Sequence, residues 1–154
     1  MDLRIDEVMI RKAVTIEADE SIQDATESMQ KNSSSCLIVT KKGKIKGILT
    51  TRDVVSRVVA KGLEPAKLTV GDVMSSPVIM LRPETPLSEA LKIMIQRKIK
   101  KVPLVTGDEG NAELVGIISF SDVVEYHTDI FNELWRELLL TVPAIEVQGE
   151  FMIN

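Results

Sequence analysis

The stretch GILTTRDVV at residues 47–55 returns as GIISFSDVV at 116–124, with five of nine positions identical. Thr50 and Ser119 place a hydroxyl at the same point, and Asp53 and Asp122 follow three residues later. The likeness continues upstream, where VGDVMSSPVIMLRPETPLSEALKIM (70–94) lies over IDEVMIRKAVTIEADESIQDATESM (5–29). The offset is 65 from Met9 to Met74 and 69 from Gly47 to Gly116. The growth of four fits one residue inserted near RKIKK and three in GDEGNAE, since loops absorb insertions that packed elements reject. The chain is therefore an internal duplication, with units at 5–60 and 70–126 and a C-terminal helical extension and tail at 127–154.

Each unit reads as β-α-β-β-α. An extended segment opens it (AVTI, PVIML), and an amphipathic helix follows. Ile22, Ala25 and Met29 recur at helical spacing in the first unit, as do Leu87, Ala90, Leu91, Met94 and Ile95 in the second. Pro86 suits the first position of its helix, where an N–H is not needed. Two short apolar strands come next, CLIVT with KIKGILT and VPLVT with ELVGIIS, joined by turns containing Gly43 and Gly107/Gly110. A second helix begins around Asp53 and Asp122. A unit of about sixty residues buries little surface alone. The expected class is α+β with α/β-type layers: two repeats packed sheet to sheet with pseudo-twofold symmetry, sharing one core, plus the C-terminal helix and tail.

Composition narrows the function. Hydrophobic residues are 44% of the 154, enough for a core built mainly from Val, Ile, Leu and Met. Lys plus Arg is 19 against 23 Asp plus Glu, a net charge of −4, which disfavours broad nucleic-acid binding. One cysteine, Cys36, allows no intrachain disulfide or Cys-based metal site, and one histidine, His127, allows no multi-His zinc site. Cys36 reads as a small core hydrophobe. No apolar run reaches the ~18 residues of a membrane span, and the N-terminus lacks a signal peptide's apolar region. A soluble, cytoplasmic protein is expected. No P-loop, G-x-G-x-x-G, Ser/His/Asp order or paired-carboxylate motif stands out, so no enzyme activity is expected.

Ser or Thr followed three residues later by an acid is close to a capping box. On the residues alone, capping is the simpler account of Thr50/Asp53 and Ser119/Asp122. The same groups also suit a ligand: a helix start after a glycine-containing strand attracts anions, and a carboxylate offers two acceptors for ribose hydroxyls.

With DVM at 72–74 (EVM at 7–9), VPLV at 102–105 and the doubled Gly-h-h-[Ser/Thr]-x-x-Asp-Val-Val, residues 5–126 resemble a tandem CBS-domain pair, or Bateman module, of the free-standing prokaryotic and archaeal kind. The resemblance implies a non-catalytic sensor binding an adenine nucleotide between its repeats as a regulatory ligand, with no cofactor required. It also implies crossed pockets: Asp holds ribose, the hydroxyl lies by phosphate, and the other repeat supplies the adenine wall. Ser119 and Asp122 would then work with Thr15, Ile16, Ala18, Ser35 and Cys36. Thr50 and Asp53 would work with Ile79, Met80, Pro83, Lys101 and Val102. Arg52 and the RKIKK run (97–101) favour the Thr50/Asp53 site for phosphate, although a Lys-rich run is also a common solvated face.

Helical spacing continues past Asp122 to about Leu140, through Ile130, Leu134, Trp135 and Leu138. The tail adds Val142, Ile145, Val147, Phe151 and Ile153. This apolar surplus suggests a partner surface, most simply a homodimer. The alternatives are a structural dimerisation module with empty clefts, or S-adenosylmethionine or nucleic-acid binding. The regulated enzyme or transporter is not named by the sequence.

Overall fold

The computed structural model describes residues 3–8, 10–108 and 110–141. The first repeat runs β1 (Thr15–Glu17), α1 (Ile22–Lys31), β2 (Cys36–Lys41), β3 (Lys44–Thr50) and α2 (Thr51–Val54), with one π-turn at Val55–Val59. The chain turns through Gly62 (φ 67°) to a short helix α3 (Val70–Val73). The second repeat carries α4 (Leu87–Arg97), β4 (Lys101–Thr106), β5 (Glu113–Ser119) and α5 (Phe120–Tyr126), and α6 (Thr128–Thr141) follows. Helices and strands are mixed in two like layers, as the duplication requires.

Local sequence sets the helix starts. Ser21 accepts from the Asp24 N–H at 3.0 Å, and α1 then buries Ile22, Ala25 and Met29. In the second repeat Pro86 is the cap rather than the first helical residue, so the helix starts one residue later than expected, and α4 buries Leu87, Ala90, Leu91 and Met94. In β2, Leu37 and Val39 face α1 while Cys36 and Ile38 face the other repeat, so both sides are dry and the strand reads as a continuous apolar run.

The sheets are unequal. β2 pairs with β1 in parallel and with β3 antiparallel, giving the order β1-β2-β3. The second sheet has only β4 and β5. The expected strand in PVIML is reduced to one parallel bridge, Leu81 to Leu104. Pro77 and Pro83 flank that bridge and lack the N–H groups a longer ladder needs.

The core is not one body. The first repeat's helices and sheet close over Ile16, Ile22, Leu37, Leu49 and Val58, and a second cluster gathers Leu87, Leu91, Met94, Leu104 and Ile118. Between the sheets lies a small third cluster of Cys36, Ile38 and Ile117. The repeats also exchange their opening segments. Ile5 and Val8 sit in the second repeat's core, fastened by the Ile5 N–H to Thr85 O (3.0 Å) and the Leu87 N–H to Leu3 O (2.6 Å). Val70 and Val73 sit in the first repeat's core, fastened by the Val70 N–H to Glu20 O (2.8 Å).

The helix expected from Asp122 to Leu140 breaks at His127 (φ −132°, ψ 45°) into α5 and α6. The break turns α6 back, so that Phe131 meets Phe120 edge to face at 5.6 Å and Ile130 and Leu134 join the second core. Trp135 stacks on Phe131 at 5.7 Å and stays 40% exposed. The apolar tail at 142–154 and the side chain of Leu138 lie outside the described residues. No helix among the described residues is long and apolar enough to cross a membrane.

Candidate functional site

Both hydroxyl–carboxylate pairs stand where the last strand of a repeat's sheet turns into a helix. Thr50 ends β3 opposite Cys36, and Ser119 ends β5 opposite Lys101. The junctions are tied alike: the Thr51 N–H donates to Ser35 O at 3.0 Å, and the Phe120 N–H to Lys100 O at 2.8 Å. The backbone is thus repeated, and only side chains distinguish the two places.

At the first place the groups satisfy each other. The Asp53 N–H donates to Thr50 Oγ1 at 3.2 Å, and the Thr50 N–H to Asp53 Oδ2 at 2.9 Å. This is a complete capping box. Arg57, one turn along, lies 3.4 Å from Asp53 Oδ1 and also donates to Val73 O at 2.6 Å. Arg52, expected to serve phosphate, is exposed, and the cation at Asp53 is Arg57.

At the second place there is no cap. Ser119 makes no side-chain bond to the α5 backbone; its hydroxyl lies 2.8 Å from Ser121 Oγ. Asp122 is only 4% exposed and receives a fork from Arg11, Nε to Oδ2 and Nη2 to Oδ1, both at 2.6 Å. The crossing of opening segments puts Arg11 there, since its backbone pairs with Ile117 (N···O 3.0 and 2.9 Å). The equivalent crossing in the other direction pairs Ser75 with Ile48 and brings no cation.

These groups border a cleft of about 480 Å³ between the repeats. Ser119 and Asp122 enter it from the second repeat, and Ser35 and Cys36 from the first. The same cleft holds Lys101, whose Nζ donates to Ser35 Oγ. This corrects the sequence-based assignment of Lys101 to the Thr50/Asp53 side. Val102 points into the second core, so Lys101, its neighbour on a strand, faces the other way, into the gap between the sheets. Arg97, Lys98 and Lys100 of the same run are exposed.

The other expected wall residues are dispersed. Thr15 is exposed on β1, Ile16 is in the first core, and Ala18 borders a separate hollow beside Asp72. Ile79 is half-buried, Met80 is 37% exposed, and Pro83 O accepts from the Asp6 N–H at 2.9 Å. Val102 is fully buried. Sequence reasoning passed over Arg11, Lys12 and Val14, which also line the cleft. The readable signal was IRK at 10–12, whose repeat counterparts around Ser75 and Ser76 are uncharged.

The electrostatics follow from these contacts. The Arg11 fork holds the Asp122 carboxyl below its ordinary range against the opposing effect of burial, with Lys101 adding a smaller pull. Burial pushes the Cys36 thiol up, and Lys101 and Ser34 only partly offset it, so Cys36 stays a neutral apolar wall.

Two repeats with exchanged openings around a polar cleft define a paired-domain architecture. The CBS domain family model matches residues 5–60 and 70–129, and the chain belongs to that family. It is 31% identical over 135 residues to an uncharacterized protein of Methanopyrus kandleri, covering 87% of this chain and 67% of that one. It is 30% identical over 119 residues to the CBS domain-containing protein YhcV of Bacillus subtilis, covering 77% and 81%. Among solved structures, the hexameric CBS-CP12 protein from bloom-forming cyanobacteria superposes with a TM-score of 0.70 at 27% identity, over 96% of this chain and 79% of that one.

Proposed function

We propose that this CBS pair is a cytoplasmic regulatory sensor. It binds an adenine nucleotide (AMP, ADP or ATP) in the Ser119/Asp122 cleft and passes occupancy on as a change in shape or in affinity for a regulated enzyme or transporter. The observation that carries this reading is the convergence, in one cleft between the repeats, of a buried carboxylate and hydroxyl with Arg11, Lys12 and Lys101. A carboxylate is the right acceptor for a ribose diol, and guanidinium and ammonium groups are the right partners for phosphate. Cys36, Val14 and Ile117 supply an apolar wall for a base. The Thr50/Asp53 pair serves mainly as a helix cap on this reading.

Calorimetric titration with AMP, ADP, ATP and S-adenosylmethionine tests it, with melting temperature as a second readout. A ligand that binds only the folded chain adds about 2.7 kcal/mol at a hundredfold excess over its dissociation constant. Heat and a melting shift with an adenine nucleotide are expected. A flat response to all four at millimolar concentration rejects the sensor and leaves the structural dimerisation module.

Self-association belongs to the same proposal. Val55, Val59, Tyr126, Trp135 and Leu140 are 40–88% exposed on the helices that follow the two strand-to-helix junctions. A homodimer would cover them. Sedimentation at micromolar concentration should show a dimer, and a monomer there defeats this part.

A further inference from the structure

The cleft contains a conflict. A ribose diol pairs best with both oxygens of a carboxylate, yet Arg11 already donates to both oxygens of Asp122, at 2.6 Å each. Asp122 is 4% exposed, so no second side of the carboxylate lies open to a ligand. A nucleoside reaches Asp122 only if the guanidinium leaves. The backbone of Arg11 is pinned to Ile117 by two hydrogen bonds and cannot move away cheaply. Its side chain is 55% exposed, so solvent rather than packed neighbours lies on its outer side. Departure strips a bidentate, charge-assisted contact unless something equally anionic replaces it. Among the described residues lining the cleft, Asp122 is the one carboxylate, against the three cations Arg11, Lys12 and Lys101. Glu125 on α5 also acts on Arg11 but does not line the cleft, so within the cleft the replacement anion comes from the ligand.

We infer that Arg11 is a latch on Asp122 that a ligand phosphate releases, so that the cleft selects nucleoside phosphates over free nucleosides. The inference rests on the nucleotide reading above and adds the source of its selectivity. A nucleoside 5′-phosphate offers its diol to Asp122 and its phosphate to Arg11, exchanging one fork for another. Adenosine offers the diol alone and leaves the guanidinium without a partner. Arg11 is therefore a specificity-determining residue, and its loss should help one ligand while harming another.

The test is calorimetry of the full chain with adenosine, AMP and ATP, on wild type, Arg11→Met and Arg11→Lys. Wild type should prefer AMP to adenosine by about tenfold or more, the scale of a hydrogen-bonded charge. Arg11→Met should bind adenosine more tightly than wild type does and AMP less tightly, so that the ratio collapses. Arg11→Lys keeps the charge without the fork, so it should also gain for adenosine while retaining a phosphate preference. A merely structural role would weaken all ligands together. The latch is overturned if adenosine affinity is unchanged or reduced in both variants while AMP still binds. Failure of the nucleotide reading itself looks different: no ligand then gives heat with any of the three proteins, and latch and sensor fall together.

Discussion

Thr50 and Ser119 occupy the same place in two copies of one motif and do different work. Thr50 caps a helix, and Ser119 does not. Thr50→Ala should therefore lower stability by about 0.5–2 kcal/mol, the usual effect of losing an N-cap, as read from urea denaturation. Ser119→Ala should lower it less and reduce nucleotide affinity more. Asp122 adds a pH signature. Its carboxyl is held below the ordinary value of about 3.9, so its ion pair contributes fully above that pH and is lost as pH falls through the lowered value. The gap in urea midpoint between wild type and Asp122→Asn should stay constant from neutral pH to about 5 and shrink below about 4. A gap that widens on acidification contradicts the Arg11 pairing.

Among the elements, the crossing of one repeat's opening segment over the last strand of the other explains why the repeated motif begins with glycine. A Cβ at Gly116 would stand 2.3 Å from Ile10 Cγ2 and 2.9 Å from Arg11 O. One at Gly47 would stand 2.6 Å from Ser75 O. In both cases the other repeat's chain passes too close for any side chain. Gly116→Ala should destabilise by about 1–3 kcal/mol through overpacking. It should also push Arg11 away from Asp122 and so reduce the AMP-over-adenosine preference. A variant with wild-type melting temperature and ligand preference would show that the segment shifts freely. The break at His127 belongs to this scale too: it folds α6 onto the second core rather than letting it project.

Across the whole molecule, the exchange of openings makes each half depend on the other. Ile5 is fully buried in a core whose other members lie mostly beyond residue 86. Ile5→Ala should cost about 2–5 kcal/mol, as for other buried large-to-small changes. The loss should appear as one cooperative transition, with tryptophan fluorescence from Trp135 on α6 and far-ultraviolet circular dichroism coinciding. Two separate transitions would mean that the repeats unfold as independent bodies. Nucleotide bound between the repeats should raise that single transition.

The duplication, most of the helix and strand order of each unit, and the pairing of a hydroxyl with a carboxylate at a strand-to-helix junction are legible in the residues, because periodicity, glycine and capping chemistry are local; the lost strand in PVIML and the helix break at His127 are not. Ser35, Cys36, Ser119 and Asp122, which the resemblance groups together, border one cleft. Lys101 was not grouped with them, because the side a strand residue faces depends on which neighbour is buried, and that is a tertiary fact. Arg11 was passed over for the same reason: it is 111 residues from Asp122, and only the crossing of opening segments brings the two together. Sequence by itself determined that there are two like halves and which side chains stand at their junctions. Tertiary structure decided that the halves differ in chemistry, because like strand-to-helix junctions met different side chains from across the interface.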